Sequence, residues 1–156
     1  MILGKELKNS WTERLLSFKG AIMKVEYHNS DSVHPPAGMY SHIAIPNSNN
    51  LVFLAGQVAL DKKGSLIGPN NVDLQTNQIY ENIGNLLTEA GSNYHNIVQL
   101  TTYLVGRSSV EPYLEARAVI FGKIFKPKEQ PPNTLLIIDG LLEEGMLVEI
   151  ATIAAI

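Results

Sequence analysis

The sequence predicts an α+β fold in which two long helices cover one face of a mixed β-sheet. Strand-like and helix-like apolar periodicities alternate along the chain in the order β-β-β-α-β-α-β-β. Three of the strand segments are apolar on both sides, and strand–helix–strand crossovers are right-handed, which sends both helices to the same side of the sheet. The size permits such a fold, because 156 residues with 45% apolar side chains make one domain able to enclose its own core. Charged residues are only 17%, below the roughly 25% of an ordinary soluble domain. A surface so poor in charge is expected to be partly hidden against other subunits.

The elements follow in order. Residues 1–22 read as an appendage, with Leu7, Trp11, Leu15 and Phe18 forming an apolar stripe for a helix that lies on the body or on a neighbouring subunit; the domain proper is expected over 23–156. MKVEY (23–27) is the first strand. The Pro-Gly connector HPPAG (34–38) leads to a second over Ser41–Ile45, and after the turn NSNN the run LVFLAGQVAL (51–60) is apolar on both faces, as in a strand buried on both sides. Past the turn-rich DKKGSLIGPNN, Asp73 is placed to cap a helix carrying Ile79, Ile83, Leu86, Leu87 and Ala90 on one face, and Gly91 stops it as a left-handed cap. IVQLTTYLV (97–105) is the fourth strand. Ser108 to Glu111 spells a capping box, S-x-x-E, for a second helix with Leu114, Phe121 and Phe125 inward and Pro127 beyond its end. TLLII (134–138) and MLVEIATIAA (146–155), joined through DGLLEEG, are the last strands. Two helices cover only one face of such a sheet, so the other apolar face is expected to be buried by another copy of the chain, and clefts between copies are natural places for a site.

Composition closes off several function classes. Without any Cys there are no disulfides, thiolate nucleophiles, iron–sulfur clusters or thiolate zinc sites. The first 22 residues hold no apolar run of secretory-signal length, Glu6 and Glu13 argue against a mitochondrial presequence, and no stretch is apolar for the ~18 residues of a membrane span. With 12 Lys+Arg against 15 Asp+Glu, and the basic residues scattered, the electrostatic footprint of nucleic acid binding is missing. The expectation is a cytoplasmic protein with a small-molecule ligand and no membrane or nucleic acid partner.

Few residues stand out as carriers of chemistry. Glu149 shares its strand face with Leu147, Ala151 and Ile153, and a carboxylate on an apolar face either reaches solvent or a partner across an interface, or is buried with a raised pKa useful for proton transfer. Tyr40 and His42 are placed on one face of the second strand. The four histidines, His28, His34, His42 and His95, show no paired helical spacing, so no metal site is expected. Gly56 and Gln57 lie inside a strand, where a glycine commonly marks close approach by a ligand or another chain. Gly64 to Gly68 lacks the Lys-Ser/Thr of a phosphate loop, and no Ser sits in a G-x-S-x-G elbow.

The runs GMYSHIAI (38–45), LVFLAGQVAL (51–60), QIYENIGNLLTEAGSNYHNIVQLTTYL (78–104) and LVEIATIAA (147–155) together resemble the RidA/YjgF family, also called the L-PSP endoribonuclease family. The resemblance runs from Met23 to Ile156. It implies a chorismate-mutase-like fold, a homotrimer with ligand clefts between subunits, no cofactor, and hydrolysis of the reactive enamines and imines made by pyridoxal-phosphate enzymes. It further implies that Tyr40 and Glu149 are catalytic, with Glu149 handling the attacking water, and that backbone groups near Gly56 hold substrate. In the family a P-x-R-[ST] segment supplies an arginine for the substrate carboxylate; here the segment reads PPNT, which puts Asn133 at that position. Ala55 and Leu135 stand where the family usually has Ser and Cys, and the loop LLEEGML is one residue longer. Losing one partner of a buried Arg–carboxylate pair costs roughly 3–5 kcal/mol, so a standard 2-imino acid is not the expected substrate. Two further readings remain: a non-catalytic trimer that binds a ligand or another protein, and, more distantly, a ribonuclease.

Overall fold

The computed structural model describes residues 25–156; the reading of residues 1–22 as an appended helix lies outside them. Six strands and two long helices follow in the expected order: β1 (Val25–His28), β2 (Ile43–Pro46), β3 (Leu51–Gln57), α1 (Val72–Glu89), β4 (Ile97–Val105), α2 (Val110–Ile124), β5 (Asn133–Ile138) and β6 (Val148–Ala155). The main sheet has the order β3-β6-β4-β5, with β4 and β5 parallel and β6 antiparallel to both β3 and β4. β1 and β2 form a separate antiparallel pair. The Tyr27 hydroxyl fastens that pair to the start of β4 by donating to the carbonyl of Ile97 at 2.6 Å. Burial, and secondly the negative charge of Glu129, holds this phenol well above its ordinary pKa, so it remains a donor.

Helix α1 turns Val72, Ile79, Tyr80, Ile83 and Leu87 into the core. Its cap is Asn71, whose Oδ1 accepts from the amide of Leu74 at 3.0 Å, and not Asp73. The turn through Asn70, at φ 58, delivers the chain to the helix two residues earlier than the apolar pattern suggests. Asp73 instead lies in the first turn, where its charge meets the positive end of the helix dipole. The far end is as expected: Gly91 takes φ 76 and the amides of Gly91 and Ser92 return to the carbonyls of Thr88 and Leu87.

The capping box expected at Ser108–Glu111 does not form. A short 3₁₀ turn over Arg107–Ser109 precedes α2, and Ser109 at the helix start uses its hydroxyl on the carbonyl of Val105 at 2.6 Å. The buried stripe of α2 is Tyr113, Arg117 and Phe121, four residues apart, with Leu114 only half-buried.

Both helices pack on the sheet face made by Leu100, Thr102 and Leu104 of β4 and Val148, Ile150, Thr152 and Ala154 of β6. The opposite face stays open. On β3, Val52 and Leu54 pack against the core while Leu51 and Phe53 are exposed, Phe53 by 70%. A strand apolar on both sides is therefore covered on one side only within a single chain, and it ends at Gln57 rather than at Leu60. Among the described residues no helix is long and apolar enough to cross a membrane.

Candidate functional site

Among the described residues the strands of the open face carry one carboxylate. Glu149 sits on β6 opposite Tyr103 of β4, half-buried, in line with Ala151 and Ile153. Next to it the pairing of β3 with β6 slips between Leu54 and Gln57, a bulge that removes Ala55 and Gly56 from the ladder. The carboxylate of Glu149 fills the space left by the bulge: a Cβ on Gly56 would lie 1.9 Å from Glu149 Oε1 and 2.8 Å from its Cδ. Gly56 leaves room for this close approach, as its place inside a strand suggests. Beyond it, a groove of about 520 Å³ runs between the end of β3 and α1, lined by Gly56, Gln57, Lys62, Asn82 and Glu89 among others. Asn82 is committed there, with its amide nitrogen donating to the carbonyl of Leu60 at 2.9 Å.

Tyr40 is not on the second strand. That strand starts at Ile43, so Tyr40 and His42 belong to the loop leading into it, their rings 6.2 Å apart. The Tyr40 hydroxyl accepts from the amide of Ala37 at 3.3 Å, and His42 Nδ1 accepts from the amide of Ser30 at 3.1 Å. Tyr40 lines a separate cavity of about 480 Å³ with Met39, Phe125, Lys128 and Gln130. No metal-binding cluster of His, Asp or Glu occurs among the described residues.

Asn133 and Leu135 lie on the other side of the sheet. Asn133 pairs with Leu100 and Leu135 with Thr102, residues of the helix-covered face. Asn133 Oδ1 accepts from Thr102 Oγ1 at 3.1 Å. Since that bond uses the Thr102 proton, the Tyr113 hydroxyl, 3.0 Å from Thr102 Oγ1, is the donor of the second link. The chain Tyr113–Thr102–Asn133 thus starts in the core between α2 and the sheet and ends at the first residue of the edge strand. Of the residues singled out by sequence, one chain brings Ala55, Gly56 and Glu149 together; Tyr40 and the Asn133–Leu135 pair stand apart. Sequence reasoning missed Tyr80 and Tyr113, which gather with Arg117 and Phe121 between the two helices. The four-residue spacing of Tyr113, Arg117 and Phe121 is the signal that would have found them, because an arginine on such a stripe is anomalous.

A mixed sheet of this order with both helices on one face is the YjgF/Rid α+β fold. The crystal structure of a conserved Rid family protein of unknown function from Yersinia pestis superposes on this chain with a TM-score of 0.74, at 26% identity over 85% of this chain and 99% of that one. The family model described as Endoribonuclease L-PSP matches residues 31–156, and the chain belongs to that family, the RidA/YjgF family. Its relatives include a RutC family protein of Synechocystis, 30% identical over 122 residues covering 78% of this chain and 88% of the relative. The chloroplastic Reactive Intermediate Deaminase A of Arabidopsis thaliana is 28% identical over 106 residues, 68% of this chain and 56% of that protein.

Proposed function

We propose that this protein is a cytoplasmic, cofactor-free homotrimer that hydrolyses a small imine- or enamine-type metabolite in clefts between its subunits. The observation that carries the reading is the Glu149 carboxylate held over the bare backbone of Gly56 on the open face of the sheet. In this reading Glu149 takes a proton from water, the water oxygen bonds to the carbon of the C=N group, and the π electrons pass to nitrogen, which is protonated. Collapse of the resulting carbinolamine breaks the C–N bond, releasing ammonia and leaving a carbonyl. Backbone groups at Ala55 and Gly56 orient the substrate, while Tyr40, Asn133 and Leu135 join the cleft from across a subunit boundary. The exposed Leu51, Phe53 and Leu136 support the assembly this requires, since a face of that character is stable in water only when covered. Asn133 offers a carbonyl or amide partner in place of a guanidinium, so the substrate is not a standard 2-imino acid.

The test couples the protein to a pyridoxal-phosphate dehydratase acting on threonine and follows ammonia. The wild type is expected to accelerate release hardly at all, Asn133→Arg to raise the rate, and Glu149→Gln to remove it from both. Fast wild-type hydrolysis that is lost in Glu149→Gln but indifferent to Asn133 would overturn the substrate assignment. A second reading, a ligand- or protein-binding trimer without catalysis, is favoured by the engagement of Asn133 Oδ1 with Thr102. Inactivity of Asn133→Arg in a well-folded trimer would support it.

A further inference from the structure

A chain of hydroxyls runs from the space between the two helices to Asn133, and the protons along it can be placed. It begins at Tyr80, buried on α1. Burial first, and Tyr113 as neighbour and hydrogen-bond partner second, hold this phenol well above its ordinary pKa, against the charge of Arg117, so it keeps its proton. The acceptor is the Tyr113 hydroxyl on α2, fully buried, with the guanidinium carbon of Arg117 5.4 Å from the centre of its ring. Tyr113 in turn lies 3.0 Å from Thr102 Oγ1, and Thr102 Oγ1 lies 3.1 Å from Asn133 Oδ1.

The buried end sets the direction of every bond. With the Asn133 amide flipped, Nδ2 would donate to Thr102, Thr102 to Tyr113 and Tyr113 to Tyr80, and the Tyr80 proton would be left in the core without an acceptor. A buried donor in that state bears the full cost of its desolvation. The protons therefore run outward: Tyr80 to Tyr113, Tyr113 to Thr102, Thr102 to Asn133 Oδ1. The carbonyl of Asn133 is thus engaged by its own chain. Its Nδ2 donates to none of the described residues and is not among the enclosed polar atoms, so two N–H groups are left accessible at the first residue of the edge strand β5.

We infer that Thr102, backed by Tyr113 and Tyr80, is a positioning residue that makes Asn133 a pure hydrogen-bond donor, so that the substrate group met there is a neutral acceptor, the carbonyl oxygen of an ester or amide beside the C=N carbon. The inference rests on the reading that Asn133 joins the substrate cleft, and adds to it which way the amide faces. A substrate N–H at this point finds no acceptor, and a carboxylate brings a charge that an amide does not compensate.

Two neutral probes of one shape, methyl pyruvate and pyruvamide, test it. Both carry the carbonyl acceptor, and only pyruvamide adds N–H groups. Each is titrated into isotope-labelled protein while the side-chain amide signal of Asn133, identified by its loss in Asn133→Asp, is followed by NMR. The wild type is expected to prefer methyl pyruvate. Thr102→Val frees Oδ1 to face the ligand, and the ratio of the two dissociation constants should move about tenfold towards pyruvamide, while Thr102→Ser keeps the wild-type ratio. A Thr102 that served packing alone would, when replaced, weaken both probes alike. A wild type preferring pyruvamide, a ratio indifferent to Thr102→Val, or binding of neither probe at Asn133 would overturn the inference. Neutron diffraction from deuterium-exchanged crystals reads the chain without ligand or variant: the deuterium of Thr102 is expected to point at Asn133 Oδ1, and an Asn133 Nδ2 facing Thr102 would also overturn it. None of these measurements needs turnover. Absent ammonia release therefore removes the catalytic role of Glu149 and leaves this inference standing, whereas release with a ratio unmoved by Thr102→Val does the reverse.

Discussion

On the helix-covered face of the sheet, most enclosed polar groups are engaged with one another. Gln75 donates to the carbonyls of Gly68 and Gly145 and accepts from the amide of Leu147, Ser92 donates to Ala155, and Tyr113, Thr102 and Asn133 form a chain. Among the described residues the strands of the open face have one carboxylate, Glu149, in line with Ala151 and Ile153 on β6 and over a glycine. The difference teaches where each kind of function can sit. A polar group enclosed by its own chain must be satisfied there or cost free energy, so its identity is dictated by the fold, with Arg117 Nε and Thr152 Oγ1 among the exceptions. A polar group on the open face escapes that constraint until a partner or ligand covers it, so Glu149 is free to serve chemistry.

The comparison breaks most completely if the open face is truly meant for water. Phe53→Asp places a charge where Phe53 is 70% exposed in the single chain, and on a true surface it would be harmless. Burying a phenylalanine contributes roughly 1.5–3 kcal/mol per copy, and burying an unpaired aspartate costs more. Light scattering is expected to show the wild type near three times 17.1 kDa and the variant dissociated; an unchanged mass would show that the assembly lies elsewhere.

Gly56→Ala sharpens the contrast at the carboxylate itself. The new Cβ would collide with the far end of a flexible side chain, Glu149 Oε1, so the fold should survive while the carboxylate moves aside. Turnover or ligand affinity should fall about tenfold or more, with a much smaller change in melting temperature. Equal losses in both would make the Gly56–Glu149 approach a structural fit. Glu149→Gln makes the same division from the other partner: stability equal to wild type or higher by up to roughly 1–2 kcal/mol marks a carboxylate kept for function, and clear destabilisation marks a structural one.

The smallest effect concerns three phenols held up by burial. Tyr27, Tyr80 and Tyr94 all have their pKa raised from 10.0, in each case chiefly by burial. Above pH 10 the unfolded chain releases these protons while the folded chain holds them, so folding stability contributed by the three phenols is complete below that pH and declines as the pH rises towards their folded values. Melting temperatures should therefore drop steeply in the alkaline limb, and Tyr27→Phe should make the limb shallower. A limb indifferent to Tyr27→Phe would show its phenol to be less enclosed than the fold places it.

Element type and order were legible because they are local: the stripe of α1, the left-handed stop at Gly91 and the alternation of β4 are written in neighbouring residues. So was the anomaly of Gly56 inside a strand and of Glu149 on an apolar face. What only the tertiary structure decided is which groups meet. The cap moved to Asn71 because a turn fixed the entry of the chain, Ser109 spent its hydroxyl on β4, and Tyr40 fell outside its strand. Periodicity assigns a residue to one of two faces but does not say which face the helices cover. Register, with the bulge at Gly56, set Glu149 on the open side and Asn133 on the closed one, because pairing between strands distant in sequence follows from packing the whole sheet at once.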